Sequence, residues 1–139
     1  MGRRWQPFHQ LRGGYCRLPC LVTLELIKNG IIQNVAEVGV YTLDALSEIQ
    51  VRHPSTGQIR VKGSMIGFEF VEDRQTRKPT YNLRDLVLEQ AFQHGLLTLV
   101  CGESAIRISP PLNISRDLID EGLEILEAAI NDTEEEGLD

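Results

Sequence analysis

Residues 95–112 read GLLTLVCGESAIRISPPL. Two short apolar runs, 96–100 and 105–109, flank a glycine-containing turn at 101–104. Pro110 and the proline after it end the second run, because proline has no N–H to donate to a neighbouring strand. The segment therefore predicts two short strands joined by a tight turn.

The remainder of the chain supplies helices around a second pair of strands. Apolar residues recur every three or four positions in the helical segments and alternate along the strand at 65–72. The other predicted elements are a helix at 21–27 stopped by Asn29 and Gly30, a helix at 31–51, strands at 58–62 and 65–72, a helix at 83–94 capped by Asn82 and ended by Gly95, and a last helix capped by Ser115. This order predicts an α+β fold, in which a small antiparallel sheet carries its helices on one face.

Length and charge restrict the class of protein. A chain of 139 residues has room for one domain of ordinary size. Its net charge of −6 argues against binding to nucleic acid or anionic lipid, and no apolar run approaches the ~20 residues that span a bilayer. Three cysteines, an odd number, favour free thiols, so we expect a cytoplasmic protein with no nucleic acid or membrane partner.

Candidates for metal binding are weak. Cys16 and Cys20 are close in sequence, but no second ligand pair follows them. His9, His53 and His94 are scattered over a terminal segment, a turn and a helix end. Structural zinc sites need converging pairs of ligands, so we expect no metal site.

Candidates for covalent catalysis are of two kinds. Cys101 is a possible nucleophile with His94 as its base, although a small buried thiol at a strand end is the commoner arrangement. Lys28, Lys62 and Lys78 are the lysines of the chain. A Schiff base needs an amine whose pKa is lowered by burial, and none of the three has such surroundings in the sequence. We therefore expect no catalytic residue in this chain.

Arg107 is the strongest candidate for a binding residue. It lies in an apolar strand between Ile106 and Ile108, and the period of two places it on the face shared with Ala105 and Ser109. A guanidinium keeps its charge, so a partly buried one needs an anionic partner. Two interpretations remain open: an arginine on an edge strand that faces water, or a fork that binds a substrate carboxylate.

The chain resembles the C-terminal small domain of the class III pyridoxal-phosphate aminotransferases, and most of all their 4-aminobutyrate aminotransferase branch. The resemblance rests on LVTLELI at 21–27, IRVKGSMIGFEFV at 59–71 and the segment at 95–112, whose signature Gly-Glu-Ser-x-Ile-Arg-x-x-Pro-Pro-Leu is specific. SRDLIDEGL at 115–123 continues it, so that it covers about residues 21–131.

This resemblance implies a homodimeric enzyme that uses pyridoxal 5'-phosphate. Such an enzyme moves an amino group from an omega-amino acid such as 4-aminobutyrate to a 2-oxo acid, and the cofactor carries the reacting electrons. The arginine of the signature binds a substrate carboxylate in that family, and here it is Arg107. The Schiff-base lysine and the other cofactor ligands belong to a large domain upstream. We therefore expect a transaminase fragment that binds no cofactor and is inactive alone.

The chain departs from the family at Val61, where glycine is usual, and over residues 1–20. The family has a Gly-Ser-His-Ser-Thr-Asn-Phe-Gly-Gly-Asn-Pro-like segment there, whose hydroxyl reaches the cofactor phosphate across the dimer. Codons chosen within the degeneracy of the code for residues 4–13, read one base further on, encode Gly-Gly-Ser-His-Ser-Thr-Asn-Phe-Gly. Residues 1–20 are therefore predicted to be out of frame or disordered, and the DNA upstream of Met1 tests this. The acidic residues 132–139 are predicted to fray.

The alternative is a stand-alone α+β module. It would bind an amino acid through Arg107, or bind another protein through apolar surface. Titration with glutamate or 4-aminobutyrate separates these hypotheses, since tight binding favours the amino-acid-binding module and no binding favours the fragment.

Overall fold

Residues 17–136 are described by a computed structural model, in which they form four α-helices and one four-stranded sheet. In chain order the elements are α1 (Arg17–Leu26), α2 (Ile32–Arg52), β1 (Thr56–Lys62), β2 (Met65–Phe70), α3 (Tyr81–Gln93), β3 (Leu99–Cys101), β4 (Ala105–Ile108) and α4 (Arg116–Glu136). The predicted α+β fold is confirmed. Within residues 17–136, no helix is both long and apolar enough to cross a membrane.

The sheet is antiparallel throughout, with the strand order β1-β2-β4-β3. Ile106 on β4 pairs with Phe68 on one side and with Val100 on the other. Strand β4 is therefore an interior strand, and its residues Ala105, Ile106 and Arg107 pair with a neighbour on both sides.

The core lies between the sheet and the helices. Ile66, Phe68 and Phe70 project from β2 and are at most 1% exposed, as the alternation of that segment predicts. From the helices, Leu46 of α2 and Leu126 of α4 meet them and are fully buried. Burying each side chain of this size stabilises the fold by about 1.5–3 kcal/mol.

A kink at Ile27–Ile31 separates α1 from α2. Asn29 has φ −91° and ψ 34°, and Gly30 has φ 109°, which a residue with a side chain rarely adopts. The predicted helix stop at these two residues is confirmed.

Two polar contacts join α2 to α4. The Tyr41 hydroxyl donates to Asp120 Oδ1 at 2.5 Å, and this hydrogen bond raises the pKa of Tyr41. At the C-terminal end of α2, Arg52 Nε donates to Glu127 Oε1 at 2.5 Å and lowers the pKa of Glu127. These contacts fix the position of α2 relative to α4.

Two local predictions around α3 need correction. Thr80, not Asn82, caps this helix: its backbone is extended and its hydroxyl accepts from Leu83 N at 3.5 Å. Strand β3 begins at Leu99 and not at 96, because Leu96 N donates back to Ala91 O and so belongs to the exit of the helix. Gly95 has φ 95° and ends the helix as predicted.

The two ends of the predicted domain lie inside helices. Helix α1 already begins at Arg17, and residues 1–16, which hold most of the segment predicted to be out of frame, lie outside the described residues. Helix α4 continues to Glu136, into the segment 132–139 that is predicted to fray, and residues 137–139 lie outside the described residues. Within this segment Thr133 is buried, and its hydroxyl donates to Ala129 O at 2.7 Å.

Candidate functional site

Arg107 lies at the centre of the sheet, on the face that points away from the helices. Its neighbours Ile106 and Ala105 are buried, whereas Arg107 itself is exposed. Across the sheet it pairs with Gly67 on β2 and Leu99 on β3. The interpretation of an arginine on an edge strand is therefore wrong, although the side chain does face water.

The guanidinium of Arg107 has weak contacts with the rest of the chain. Its Nη2 lies 3.6 Å from Cys101 Sγ, a poor acceptor. None of the ion pairs formed among residues 17–136 includes Arg107. This cation therefore keeps its fork of donors available for an anion.

A shallow groove of about 250 Å³ runs beside Arg107 over the open face of the sheet. Gly67 lies between the two arginines of the groove, since it pairs with Arg60 on one side and Arg107 on the other. Lys62 also lines the groove. The one nearby carboxylate, Glu69, is 3.8 Å from Arg60 Nη1, a long ion pair. Glycine leaves room between two cations, so the groove suits a small carboxylate.

A second arginine-lined cavity, of about 520 Å³, contains Arg74 and Arg77. Here the guanidinium of Arg74 is already occupied, because it donates to the backbone carbonyl oxygens of Gln50 and His53. The groove beside Arg107 is the better candidate for an anion site, even though it is the smaller of the two.

Two side chains position the strand of Arg107, and the sequence analysis missed both. Arg84 of α3, whose side chain is 11% exposed, donates from Nη1 to Glu103 O at 2.7 Å in the β3–β4 turn. Asn34 of α2 donates from Nδ2 to Leu112 O at 2.8 Å, just beyond the prolines. Neither leaves a signal in the sequence, because each contact joins segments that are distant along the chain.

The weak metal candidates are not brought together. Cys16 and His9 lie outside the described residues, and Cys20 is exposed on α1. His53 Nδ1 lies 2.8 Å from Glu134, whereas His94 Nε2 lies 3.7 Å from Asp132. Among residues 17–136 there is no cluster of three or more potential ligands.

The candidates for covalent chemistry are also separated from a suitable site. Cys101 contacts Arg107 and His94 contacts Asp132, so the two residues do not form a nucleophile–base pair. Lys28, Lys62 and Lys78 are all exposed. A pyridoxal-phosphate site requires a lysine in a shielded pocket, and these residues do not fit that cofactor.

Comparison with known proteins identifies the family of this chain. A sequence model of the family "Aminotransferase class-III" matches residues 17–130. The chain belongs to the class III aminotransferases, a family that depends on pyridoxal phosphate. The resemblance read from the sequence is confirmed.

The relatives include two kinds of enzyme. A leucine/methionine racemase of Thermococcus litoralis is 33% identical over 86% of this chain, and a 4-aminobutyrate aminotransferase of Escherichia coli is 32% identical over 90%. A solved aminotransferase structure from Bacillus anthracis superimposes with a TM-score of 0.76, at 30% identity over 80% of this chain. The chain spans 27%, 31% and 26% of the lengths of these three proteins.

Proposed function

We propose that this chain is the C-terminal, substrate-binding part of a class III aminotransferase and that Arg107 binds the substrate carboxylate. The observation that carries the proposal is an arginine without a carboxylate partner among residues 17–136, held at the centre of a sheet beside a glycine. Fixed strands on both sides orient the fork before the ligand arrives, which lowers the entropy cost of binding.

The reaction class that this proposal implies is transfer of an amino group from a 4-aminobutyrate-like omega-amino acid to a 2-oxo acid. The 4-aminobutyrate aminotransferases among the relatives support it, and the racemases among them make amino-acid racemisation the competing activity of the whole enzyme. Both reactions use an amino-acid carboxylate, so Arg107 has the same binding role in either one.

We also place the parent enzyme in the cytoplasm as a homodimer, and the free thiols of Cys20 and Cys101 fit a reducing compartment.

We infer that the isolated chain is inactive, because it supplies positioning and no reacting group. Every lysine of the chain is exposed, and about a quarter to a third of each relative's length is represented here. Adding pyridoxal phosphate to the purified chain should produce no stable visible absorbance band. A stable band that survives gel filtration would contradict this part of the proposal.

The role of Arg107 is best tested in a chimera. Residues 17–136 replace the matching part of a full-length class III aminotransferase, and the KM for the amino acceptor is measured. Arg107→Gln should raise this KM by roughly 10–100-fold, since hydrogen bonds to charged groups contribute about 1.5–3 kcal/mol. Lys78→Gln, which removes the same charge from an exposed ion pair with Glu72, should leave it unchanged. An equal effect of both variants would overturn the assignment.

A protein-interaction module is the second candidate, and exposed apolar side chains favour it. Leu21, Val22 and Leu24 on α1 are 51–58% exposed, and Leu97 before β3 is 76% exposed. Clustered surface of this kind marks association sites. Light scattering of the purified chain distinguishes the two: a stable assembly supports the module, and a monomer supports the fragment.

A further inference from the structure

The larger arginine-lined cavity, of about 520 Å³, takes no part in the proposed function. It lies between α2 and the start of β1, and we call it the α2–β1 cavity. Its charged lining residues are Glu69, Arg74 and Arg77, so both signs of charge are present. The charged lining residues of the groove beside Arg107 are all cations. The two sites therefore differ in the ligands that they suit.

A bulge in β1 positions the acidic side of the cavity. The register shifts between Thr56 and Ile59, so that Gly57 and Gln58 together face Glu69. Gln58 N donates to Glu69 Oε2 at 3.2 Å, and a Cβ on Gly57 would lie 3.1 Å from the same oxygen. Bulges redirect side chains in this way. The carboxylate is therefore held in space that the glycine leaves open.

Two arginines of the loop after β2 form the basic side. Arg74 Nη2 donates to the carbonyl oxygens of Gln50 and His53, which fixes its guanidinium against the end of α2. Arg77 has a left-handed backbone, with φ 53°, which is uncommon for a residue with a side chain. None of the ion pairs formed among residues 17–136 includes Arg77. Its guanidinium is available to an anion in the cavity.

The opposite charges face the same space without pairing. Arg74 Nη2 lies 3.5 Å from Thr56 Oγ1, and the next residue, Gly57, adjoins the Glu69 carboxylate. Within residues 17–136, neither arginine of the cavity forms an ion pair with Glu69. A ligand with one charge of each sign fills such a gap, because each end makes a charge-assisted hydrogen bond of about 2.8 Å.

We infer that the α2–β1 cavity is a binding site for an aliphatic α-amino acid in its zwitterionic form. The carboxylate binds Arg77, the ammonium group binds Glu69, and the aliphatic side chain lies against the wall that includes Ile59 and Val71. Arg107 does not line this cavity. An amino acid bound here therefore acts on the protein without occupying the substrate groove, as a regulatory ligand does.

The test uses the full 139-residue chain, backbone amide NMR spectra and three probes of matched shape. Leucine carries both charges, 4-methylpentanoate lacks the ammonium group, and 3-methylbutylamine lacks the carboxylate. Leucine should cause saturable shifts at Gln50, Gly57 and Gln58, which line the cavity. The other two probes should bind there about tenfold more weakly, since each loses one charge-assisted hydrogen bond.

Two variants test the two charged ends. Glu69→Gln keeps an acceptor for Gln58 N and removes the charge, whereas Arg77→Gln removes the available cation. Each should weaken leucine binding about tenfold. Lys78→Gln is the matched control, because Lys78 follows Arg77 directly but pairs with Glu72 outside the cavity. Its affinity for leucine should stay within twofold of the unchanged chain.

Arg107→Gln separates this inference from the proposed function, because it should leave leucine binding in the α2–β1 cavity unchanged. The absence of saturable shifts there, or equal affinities for leucine and 4-methylpentanoate, would overturn the inference and leave the role of Arg107 intact. Leucine shifts that centre on Gly67 and disappear in Arg107→Gln would also overturn it, since the substrate groove would then be the leucine site.

Discussion

Helices α1 and α4 both carry regularly spaced apolar residues, but their surroundings differ completely. On α4, Ile119, Leu126 and Ile130 are at most 5% exposed. On α1, Leu21 and Leu24 are 58% and 52% exposed, and α1 packs mainly against the kink that follows it. The spacing of apolar residues predicts that a helix has an apolar face to bury, but it does not predict which surface covers that face.

The contrast separates the part of the chain that is stable by itself from the part that needs a partner. Helix α4 contributes to the same core as β2 and α2 and is tied to α2 by hydrogen bonds. Helix α1 adds little apolar burial within the described residues. In relatives that are three to four times longer, additional chain is present that could cover such a face.

The largest expected difference comes from truncating one leucine on each helix. Leu126→Ala should lower the free energy of unfolding by about 2–5 kcal/mol, because Leu126 is fully buried and its loss leaves a cavity. Leu24→Ala on α1 should change it by less than about 0.5 kcal/mol. Urea unfolding followed by circular dichroism measures both. Equal losses would show that α1 is buried in the isolated chain.

Two glycines with positive φ give the next largest contrast. Gly63 in the β1–β2 turn has φ 61°, and an added Cβ would lie 2.9 Å from Val35 Cγ1. Gly63→Ala should therefore lower the free energy of unfolding by about 1–3 kcal/mol, because of backbone strain and overpacking. Gly30 has φ 109° with open space around it, so α1 can swing to relieve the strain. Gly30→Ala should lower the free energy of unfolding by less than about 1 kcal/mol. Urea unfolding measures both variants. A larger loss of stability for Gly30→Ala than for Gly63→Ala would show that α1 is held in place.

The main features of the fold and of the site were predictable from short-range patterns. The alternation around Phe68 identifies the buried face of β2, and the period of two at Arg107 identifies its exposed face. Gly30 and Gly95 mark helix ends, because few other residues adopt their backbone angles. Each of these signals is contained within a few residues of the chain.

What could not be predicted depends on contacts between distant segments. Asn82 and Thr80 are both good capping residues, and the structure uses Thr80 because its N–H also donates to Phe70 O at 3.4 Å. The interior position of β4 follows from strand order, which no local pattern specifies.

Helix capping provides a smaller test of how firmly α4 is anchored. Leu118 N lies 3.4 Å from Ser115 Oγ, which confirms the predicted cap. Ser115→Ala should lower the free energy of unfolding by about 0.5–1 kcal/mol. Asn82→Ala is the control, since Asn82 lies inside α3 and caps nothing there. Its effect should be near zero, and a loss equal to that of Ser115→Ala would restore Asn82 as a cap.

The smallest effect concerns acid stability where the end of α2 contacts the middle of α4. Arg52 lowers the pKa of Glu127 below its usual value of 4.5, chiefly through their hydrogen bond, and His53 adds to this. Because the pKa is lower in the folded state, the pair stabilises the fold above about pH 4.5, and that stability is lost as the pH falls through the folded-state value. Arg52→Gln should therefore reduce the loss of stability on acidification. Thermal unfolding at several values between about pH 3 and pH 7 measures it, with Lys78→Gln as the control for a charge removed elsewhere. Identical pH profiles for Arg52→Gln and the unchanged chain would show that the Arg52–Glu127 pair does not anchor α4 to α2.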